Sequence, residues 1–376
     1  MSDSNLASLA QVAETSWGVL PASPVFAQKR FTKETMAYSK ETVISGEIRA
    51  DRQIPDVLQV GYTANGGYDF ELSAGELNLL LQNTLFCTPL VVNLPAVSVT
   101  IVAGPKSITG ATGVFSALLP LQRIRISGTG ANDDIYTVVT VAGNGASFTV
   151  GEPVVAYTGT ATFSSIFYSN GVVRNSLAME VGLGASSFVQ FSGMMVNTCK
   201  FTLEAKKIAV GSATFLGGAA TSSPTSISAA AYTPATTSPI LNCSSNVGRL
   251  FSNGVAFNTG IKMLTIDVNN SLRPQPAVGS AALFGVGVGQ CKVSGSMQLY
   301  FKDLTFYNTF ISHTPTSLSV VLSDSSDHGF SFTLPRIQID TGKTDIPAVN
   351  TDIMLDVTFL ATLDPVSGMT MQVTQV

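Results

Sequence analysis

The sequence predicts a mainly β protein: two tandem β-sandwich or barrel units, each with one short helix, and a small β-domain inserted into the first. Three observations lead there. Most segments are rich in Val, Ile, Thr and Phe and are broken by Gly or Asn-Gly turns, the pattern of antiparallel strands. Two long stretches repeat the same order of motifs. Charged residues make up only 12% of the 376 residues while hydrophobic residues reach 45%, against a usual charged fraction of about 25%.

At 39.3 kDa and a mean hydropathy of +0.32 the chain has room for two or three folding units, and its composition excludes disorder. Twenty Lys and Arg against 24 Asp and Glu give a net charge of -4, which supplies no cationic field for gripping phosphates. Two readings account for so little charge. Either uncharged faces are hidden against identical neighbours, or the exterior is a neutral, Ser/Thr-rich β surface. The opening residues carry Asp3 and no basic residue ahead of an apolar run, unlike a secretory leader, so folding in a reducing cytosol is expected. No apolar run reaches about 18 residues, which leaves a membrane span unsupported. Cys87, Cys199, Cys243 and Cys291 lie far apart without a CxxC spacing and read as buried thiols.

Helical periodicity is predicted over 5–14 (Leu6, Leu9, Ala10, Ala13), over 73–86 behind a Ser73–Glu76 capping box (Leu77, Leu80, Leu81, Leu85), and over 300–312 (Leu304, Tyr307, Phe310, Ile311). The second and third close the two similar stretches. One runs from SGEIR at 45–49 through a polar loop to GGYDFEL at 66–72; the other runs from NNSLR at 269–273 through a Gly-rich loop to VSGSMQL at 293–299, with Gly67 and Gly295 matched. Past the helices, NSLAMEV from Asn175 and FVQFSGM from Phe188 resemble TSLSVVL from Thr316 and FSFTLPR from Phe330. A further strand closes each half, within 200–216 and 352–363. The reading is an internal repeat, and its rival is chance similarity among Gly-rich strands. The expected boundaries are 1–93 with 166–218 for the first unit, 94–165 for the inserted β-domain, 219–248 for an uncharged Ser/Thr/Ala/Pro-rich linker or surface arm, and 249–376 for the second unit.

No catalytic, cofactor or metal constellation stands out, so the expectation is a protein that is not an enzyme and has no cofactor. Only His313 and His328 are available as imidazoles, and Asp324, Asp327 and His328 sit together in SDSSDHG, which reads as a polar hairpin turn. GVGVG at 285–289 misses the dinucleotide-binding spacing and lies in a β context. The glycosylation patterns at Asn242 and Asn269 carry no weight without a secretory leader.

Several motifs taken in order carry a resemblance: ETSWG at 14–18 with Pro21, SGEIRADR at 45–52 with Asp56, ELS at 71–73, NCSSNVGRL at 242–250, Asn269-Asn270 with Val278-Gly279, Gly295-Ser296, and FTLPR at 332–336. Together they resemble the major tail tube proteins of bacteriophages with long, non-contractile tails, of siphovirus type, over nearly the whole chain apart from the inserted block. The resemblance implies sheets that join between subunits into a ring, and rings that stack into a hollow tube. Double-stranded DNA would pass through it from capsid to host without specific binding. It implies a homotrimer of pseudo-sixfold symmetry, because a doubled chain supplies two of six domains, or a homohexamer if the repeat is false. The implied partners are the chain itself and the tape-measure, tail-tip and tail-terminator proteins, with no membrane; the implied setting is the virion, assembled in the host cytoplasm.

Candidate contact residues follow from the two long loops, 49–66 and 273–289. Arg49, Asp51, Arg52 and Asp56 alternate in sign, as register-setting ion pairs between rings would, and Glu47 and Arg273 are further candidates. The alternative is a solvated loop, in which such pairs are worth about 0–1 kcal/mol. Trp17, the only tryptophan, is either an anchor on a neighbouring subunit or an ordinary core residue. The inserted domain is expected to project outward as a decoration, with a spacer between rings as the alternative. Two other functions compete: a carbohydrate-binding or adhesive β-sandwich surface protein, and a β-rich polysaccharide hydrolase for which no carboxylate pair is singled out.

Overall fold

The computed structural model describes residues 3–376 except 228–230, 253–254, 257–259, 327 and 347; the side chains of 248–259, 305 and 306 also lie outside the description. The chain is mainly β. Its elements, in order, are β1 (Ser8–Ala13), β2 (Val25–Gln28), β3 (Lys33–Glu34), β4 (Ala37–Ile44), β5 (Val57–Glu71) and α1 (Asn78–Thr84), then β6 (Leu90–Val102), β7 (Ser107–Thr109), β8 (Arg123–Ser127), β9 (Asp134–Val141), β10 (Ser147–Val150) and β11 (Tyr157–Ser169). They continue with β12 (Leu177–Gly182), β13 (Phe188–Glu204), β14 (Val210–Gly217), β15 (Ala219–Ser223) and β16 (Ala231–Thr233). The last group is β17 (Val247–Ser252), β18 (Val255–Ala256), β19 (Ile261–Asn269), β20 (Arg273–Gln275), β21 (Gly285–Gly287), β22 (Lys292–Tyr300), α2 (Thr305–Ile311), β23 (Thr316–Ser323), β24 (Gly329–Asp345), β25 (Met354–Ala361) and β26 (Gln372–Gln375).

Eight strands form one continuous antiparallel ladder in the order β4-β5-β14-β13-β19-β22-β25-β24. The first four and the last four occur in the same relative order, each four interrupted in sequence by a short helix. Both long strands, β13 and β24, are bent by two bulges and so serve two layers. The amino-terminal part of β13 pairs with β12 and β15, and the corresponding part of β24 pairs with β23 and β26. Their bulges coincide. Pairing slips just before Thr198 meets Thr214 in the first half and just before Thr341 meets Thr358 in the second, and each threonine pair shares a hydroxyl contact of 2.6 Å. Even the outer strands match, since β1 pairs with β12 and β2 as β17 pairs with β23 and β18.

The alternation of period two sorts the ladder into two faces. One face buries Phe70, Phe201, Ile266, Met297, Val357 and Phe359. A single hydrophobic core runs through both halves beneath it; Phe201 of β13 lies 4.7 Å ring to ring from Phe332 of β24. The opposite face is open and polar.

Strands β6 to β11 close on themselves in the cyclic order β6-β7-β10-β9-β8-β11, a six-stranded barrel. Its interior is a separate core in which Phe115, Phe148 and Phe163 meet edge to face. The barrel is welded to the second half. Its β11 runs on to Ser169 and pairs with β26, which pairs in turn with β24. Arg123, with a buried 2.7 Å ion pair to Glu152, reaches Ser319 of β23.

The described residues of 219–242 are held along the first half, whereas Asn246 and Val247 reach β23 of the second. β15 extends the outer sheet, β16 lies parallel to β2, and single bridges join Ser73 to Ile240 and Ile208 to Asn242. Buried Glu180 fixes this segment by accepting hydrogen bonds from the Tyr232 hydroxyl at 2.6 Å and the Ile227 amide at 2.8 Å.

Several helical expectations are corrected. Residues 8–13 form a strand rather than a helix, because β1 sits between β12 and β2 and buries Leu9, Ala10, Gln11 and Val12 on both faces. A helix would leave those sheet edges unpaired. The helix expected over 73–86 is only Asn78–Thr84, and no capping box forms. Glu76 instead turns its carboxylate to the Arg30 amide at 3.0 Å and to Lys29 at 3.8 Å. The third helix begins at Thr305, since residues up to Tyr300 are claimed by β22. Of the four thiols, Cys87 and Cys199 are buried and Cys243 and Cys291 only half-buried. The strand registers match Gly66, not Gly67, with Gly295, each lying opposite a phenylalanine, Phe215 and Phe359.

Candidate functional site

The feature of this fold that calls for a partner is the pair of ends of the eight-stranded ladder. Among the described residues β4 pairs along one edge only, with β5, and residues Gln338–Asp345 of β24 pair only with β25. Side chains along both edges are exposed: Ala37, Tyr38 and Lys40 on one, Asp340, Thr341, Lys343 and Asp345 on the other. Open edges present rows of unpaired amides and carbonyls, which natural proteins cover or pair. Inside the chain the equivalent edge is already joined. The matching part of β13 pairs with β19 from Thr198↔Asn269 to Glu204↔Met263. That internal joint carries a Lys200–Asp267 ion pair at 3.7 Å on the open face.

The open face of the ladder carries carboxylates at Asp69, Glu71, Glu204, Asp267, Asp345 and Asp356 and lysines at Lys33, Lys200, Lys292 and Lys343, separated by Ser and Thr. Lys33 is opposite Asp69 and Lys343 opposite Asp356, which also accepts from Gln298 at 3.0 Å. The result is a polar wall with a small excess of negative charge and no cluster of cations.

The charged loop lies at the tip of the long β4–β5 hairpin. Arg49 and Asp51 form a bidentate pair at 3.0 and 2.7 Å inside that loop; the Arg49 guanidinium holds the Asp51 carboxyl below its usual range. Arg52 adopts φ +59° in the turn, Asp56 accepts from the Val57 amide at 2.7 Å, and Glu47 is exposed. The flanking strands expose Val43, Ile44, Val57, Leu58 and Val60 and the loop itself Ile48 and Ile54, so the hairpin arm carries exposed apolar side chains beside its charges. Arg273 is far from this cluster in sequence. It starts β20, and the β20–β21 loop folds back across the first half, burying Val286 against Phe86 and Met195 and accepting the Tyr62 amide at Ala281. The two long loops therefore differ: one projects, the other is engaged within the chain.

Trp17 is half-buried within its own chain, where Nε1 donates to the Gly193 carbonyl at 3.0 Å while Glu14 accepts the Gly193 amide at 2.8 Å. Gly193 sits at φ +67° in the first bulge of β13, and a Cβ there would lie 2.8 Å from the indole. The ETSWG motif thus clamps the bend of β13. Asp324 accepts amides from Ser326 and His328 as the hairpin turn requires; Asp327 lies outside the described residues. Among the described residues there is no cluster of three or more metal-ligating side chains, and no helix is long and apolar enough to cross a membrane.

Sequence reading did not single out the two ladder edges. Their residues are ordinary Thr, Lys and Asp of a strand, and which strand ends a sheet depends on pairings distant in the chain. No curated protein matches the chain. The family model described as phage tail tube protein matches residues 4–361, nearly its whole length. The chain therefore belongs to the phage tail tube protein family and is a structural component of the virion.

Proposed function

We propose that this protein builds the tail tube by continuing its own sheet from copy to copy, three chains closing a ring and rings stacking into the conduit through which DNA leaves the capsid. The observation that carries the reading is the doubled ladder with one joint made and two edges open. The internal β13–β19 joint is a template for β24 of one chain against β4 of the next. Eight strands per chain is an even number, so every joint around a closed ring is antiparallel. The number three rests on the tail tube resemblance and its six-domain rings. Three such ladders at about 4.8 Å per strand enclose a circumference of at least about 115 Å, and strand tilt widens it further.

The open polar face becomes the wall of the bore. Its net acidic character gives phosphates no counterion-releasing contacts, so DNA slides instead of binding. The barrel, attached through β26 to the outer layer, lies on the side away from that face and projects from the tube. The hairpin arm, with apolar side chains beside its charges, supplies the axial contact to the next ring; a head-to-tail contact that does not close yields a filament. Tape-measure, tail-tip and terminator proteins would meet the bore and the two tube ends. The units that repeat are 1–93 with 166–218 and 249–376.

Negative-stain microscopy and mass photometry of the purified chain test this. The expected particles are three-chain rings with six-lobed walls, or hollow tubes. Monomers that persist at high concentration, or rings of six chains, would overturn it.

A further inference from the structure

We infer that the joint between neighbouring copies is sealed on its core side by Tyr38 of one chain, laid over Gly342 and against Phe310 of its neighbour; this rests on the ring assembly above and adds the residues that fix the joint's register and direction. The two halves match residue by residue. Thr198 and Thr341 follow the same bulge, so Cys199 corresponds to Gly342. The Thr35 hydroxyl accepts the Gly67 amide at 3.2 Å as the Thr265 hydroxyl accepts the Ser296 amide at 3.1 Å, so Thr35 corresponds to Thr265 and, three residues on, Tyr38 to Val268. The helices match as well. Phe86 and His313, each two residues past its helix, both turn at positive φ, +48° and +52°, which sets Asn83 against Phe310 and Thr84 against Ile311.

Inside the chain the matched residues meet. Cys199 is opposite Val268, and both are buried in the shared core, on the face away from the Lys200–Asp267 pair. The end of α1 closes over this joint: Asn83 and Thr84 are each 1% exposed, and the Thr84 carbonyl accepts the Asn270 side chain at 3.0 Å. At the open edges the same places lie bare. Tyr38 is 38% exposed, Phe310 is half-buried and Ile311 is 65% exposed. The covered helix end carries Asn and Thr while the uncovered one carries Phe and Ile, the reverse of what contact with water would select. Apolar side chains left open at a joint that is closed elsewhere in the same chain mark a surface that loses its water on assembly.

The side chains concerned share one face. Tyr38 pairs with the ring of Tyr62 at 5.3 Å and is opposite buried Ala64, on the core side of the ladder. Gly342 faces the same side, since a Cβ there would lie 3.3 Å from the Phe310 ring of α2. Joining β24 to β4 in the register of the internal joint places Gly342 opposite Tyr38 and Thr341 opposite Ser39. The absent side chain at Gly342 leaves room for the tyrosine ring, which shields the bare strand backbone as aromatic residues do across from edge glycines. Contact with Phe310 adds an aromatic pair, and such anchors carry much of an interface's energy. The fit also has a direction. Two β24 edges offer no ring for the gap and two β4 edges offer no gap for the rings, so the head-to-tail pairing that closes a ring is favoured.

A size swap tests this. Tyr38→Ala should raise the concentration needed for ring or tube formation by about tenfold or more, with the thermal unfolding of the single chain little changed because the ring is exposed in it, and Tyr38→Phe should assemble like the wild type. Gly342→Val fills the gap and should weaken assembly to a similar degree; Gly342→Val combined with Tyr38→Ala should assemble better than either alone. A Tyr38→Ala chain that assembles like the wild type, a Tyr38→Phe chain that fails as Tyr38→Ala does, or a double variant no better than the singles would overturn the contact while leaving ring assembly standing. The tyrosine variants decide alone if Gly342→Val does not fold. Failure of the wild-type chain itself to assemble would remove the ring reading and the contact with it. As a second readout, oxidation of a chain carrying Ser39→Cys and Thr341→Cys should give disulfide-linked dimers and trimers that neither single variant gives. These positions match Asn269 and Thr198, which are opposed and lie two residues from Asp267 and Lys200 on the open face, so the two thiols come within bridging distance; absence of the linked species under assembling conditions would refute the register.

Discussion

Phe332→Ala is a substitution in the second half whose effect should be felt in the first. Phe332 is 1% exposed and meets Phe201 at 4.7 Å with the rings tilted by 48°, and Phe201 itself meets Phe70 edge-on at 6.3 Å. Truncating a buried phenylalanine costs about 3–5 kcal/mol from lost transfer energy and the cavity left behind. The aromatic contact accounts for about 0.5–1.5 kcal/mol of that loss. Because one core runs through both halves, the loss belongs to a single cooperative transition. Trp17 is the only tryptophan and sits in the first half, clamped to Gly193, so its fluorescence reports on the half that was not altered. With a urea dependence of about 3 kcal/mol per molar, a loss of about 4 kcal/mol moves the midpoint down by about 1.3 M. Urea titration of the unassembled chain, read at Trp17, measures this. A Trp17 midpoint that stays in place while a far-ultraviolet signal shifts would show that the halves fold independently and that the shared core is energetically idle.

Three further outcomes are expected. Glu152→Ala strips buried Arg123 of its 2.7 Å carboxylate and should destabilise the chain by about 3–5 kcal/mol in calorimetry, whereas replacing the exposed Asp51 should change stability by less than about 1 kcal/mol. Gly295→Ala places a Cβ about 2.2 Å from the Thr265 carbonyl and 2.4 Å from the Phe359 ring, so it should lower the unfolding midpoint by an overpacking cost of about 1–3 kcal/mol. Burial pushes the Cys87 thiol up to about 11 and the Cys199 thiol up to about 12, from an ordinary value of 9.0. The unfolded chain therefore loses these protons first, and stability falls as pH rises above 9; Cys199→Ala should flatten that fall in urea titrations between pH 8 and pH 11.

Much of the architecture is legible in local chemistry. Strand alternation, Gly punctuation and the repeated order of motifs come from residues near one another in the chain, and the fold class follows from them. The charged tip of the first long loop is legible for the same reason, as Arg49 and Asp51 are two residues apart and pair with each other. Helix ends were read less well. The Ser73–Glu76 spacing favours a cap, but Glu76 has a stronger demand upon it from buried Lys29, and residues 8–13 have a helical stripe but are covered from both sides by strands. What no local pattern contains is which strands lie beside which. The closure of the inserted block into a barrel, its fusion to β24 through the last strand, and the coincidence of bulges at Thr198 and Thr341 all depend on hydrogen bonds between residues far apart in sequence. The two open edges depend on them most of all, because an edge is defined by a neighbour that the chain does not supply.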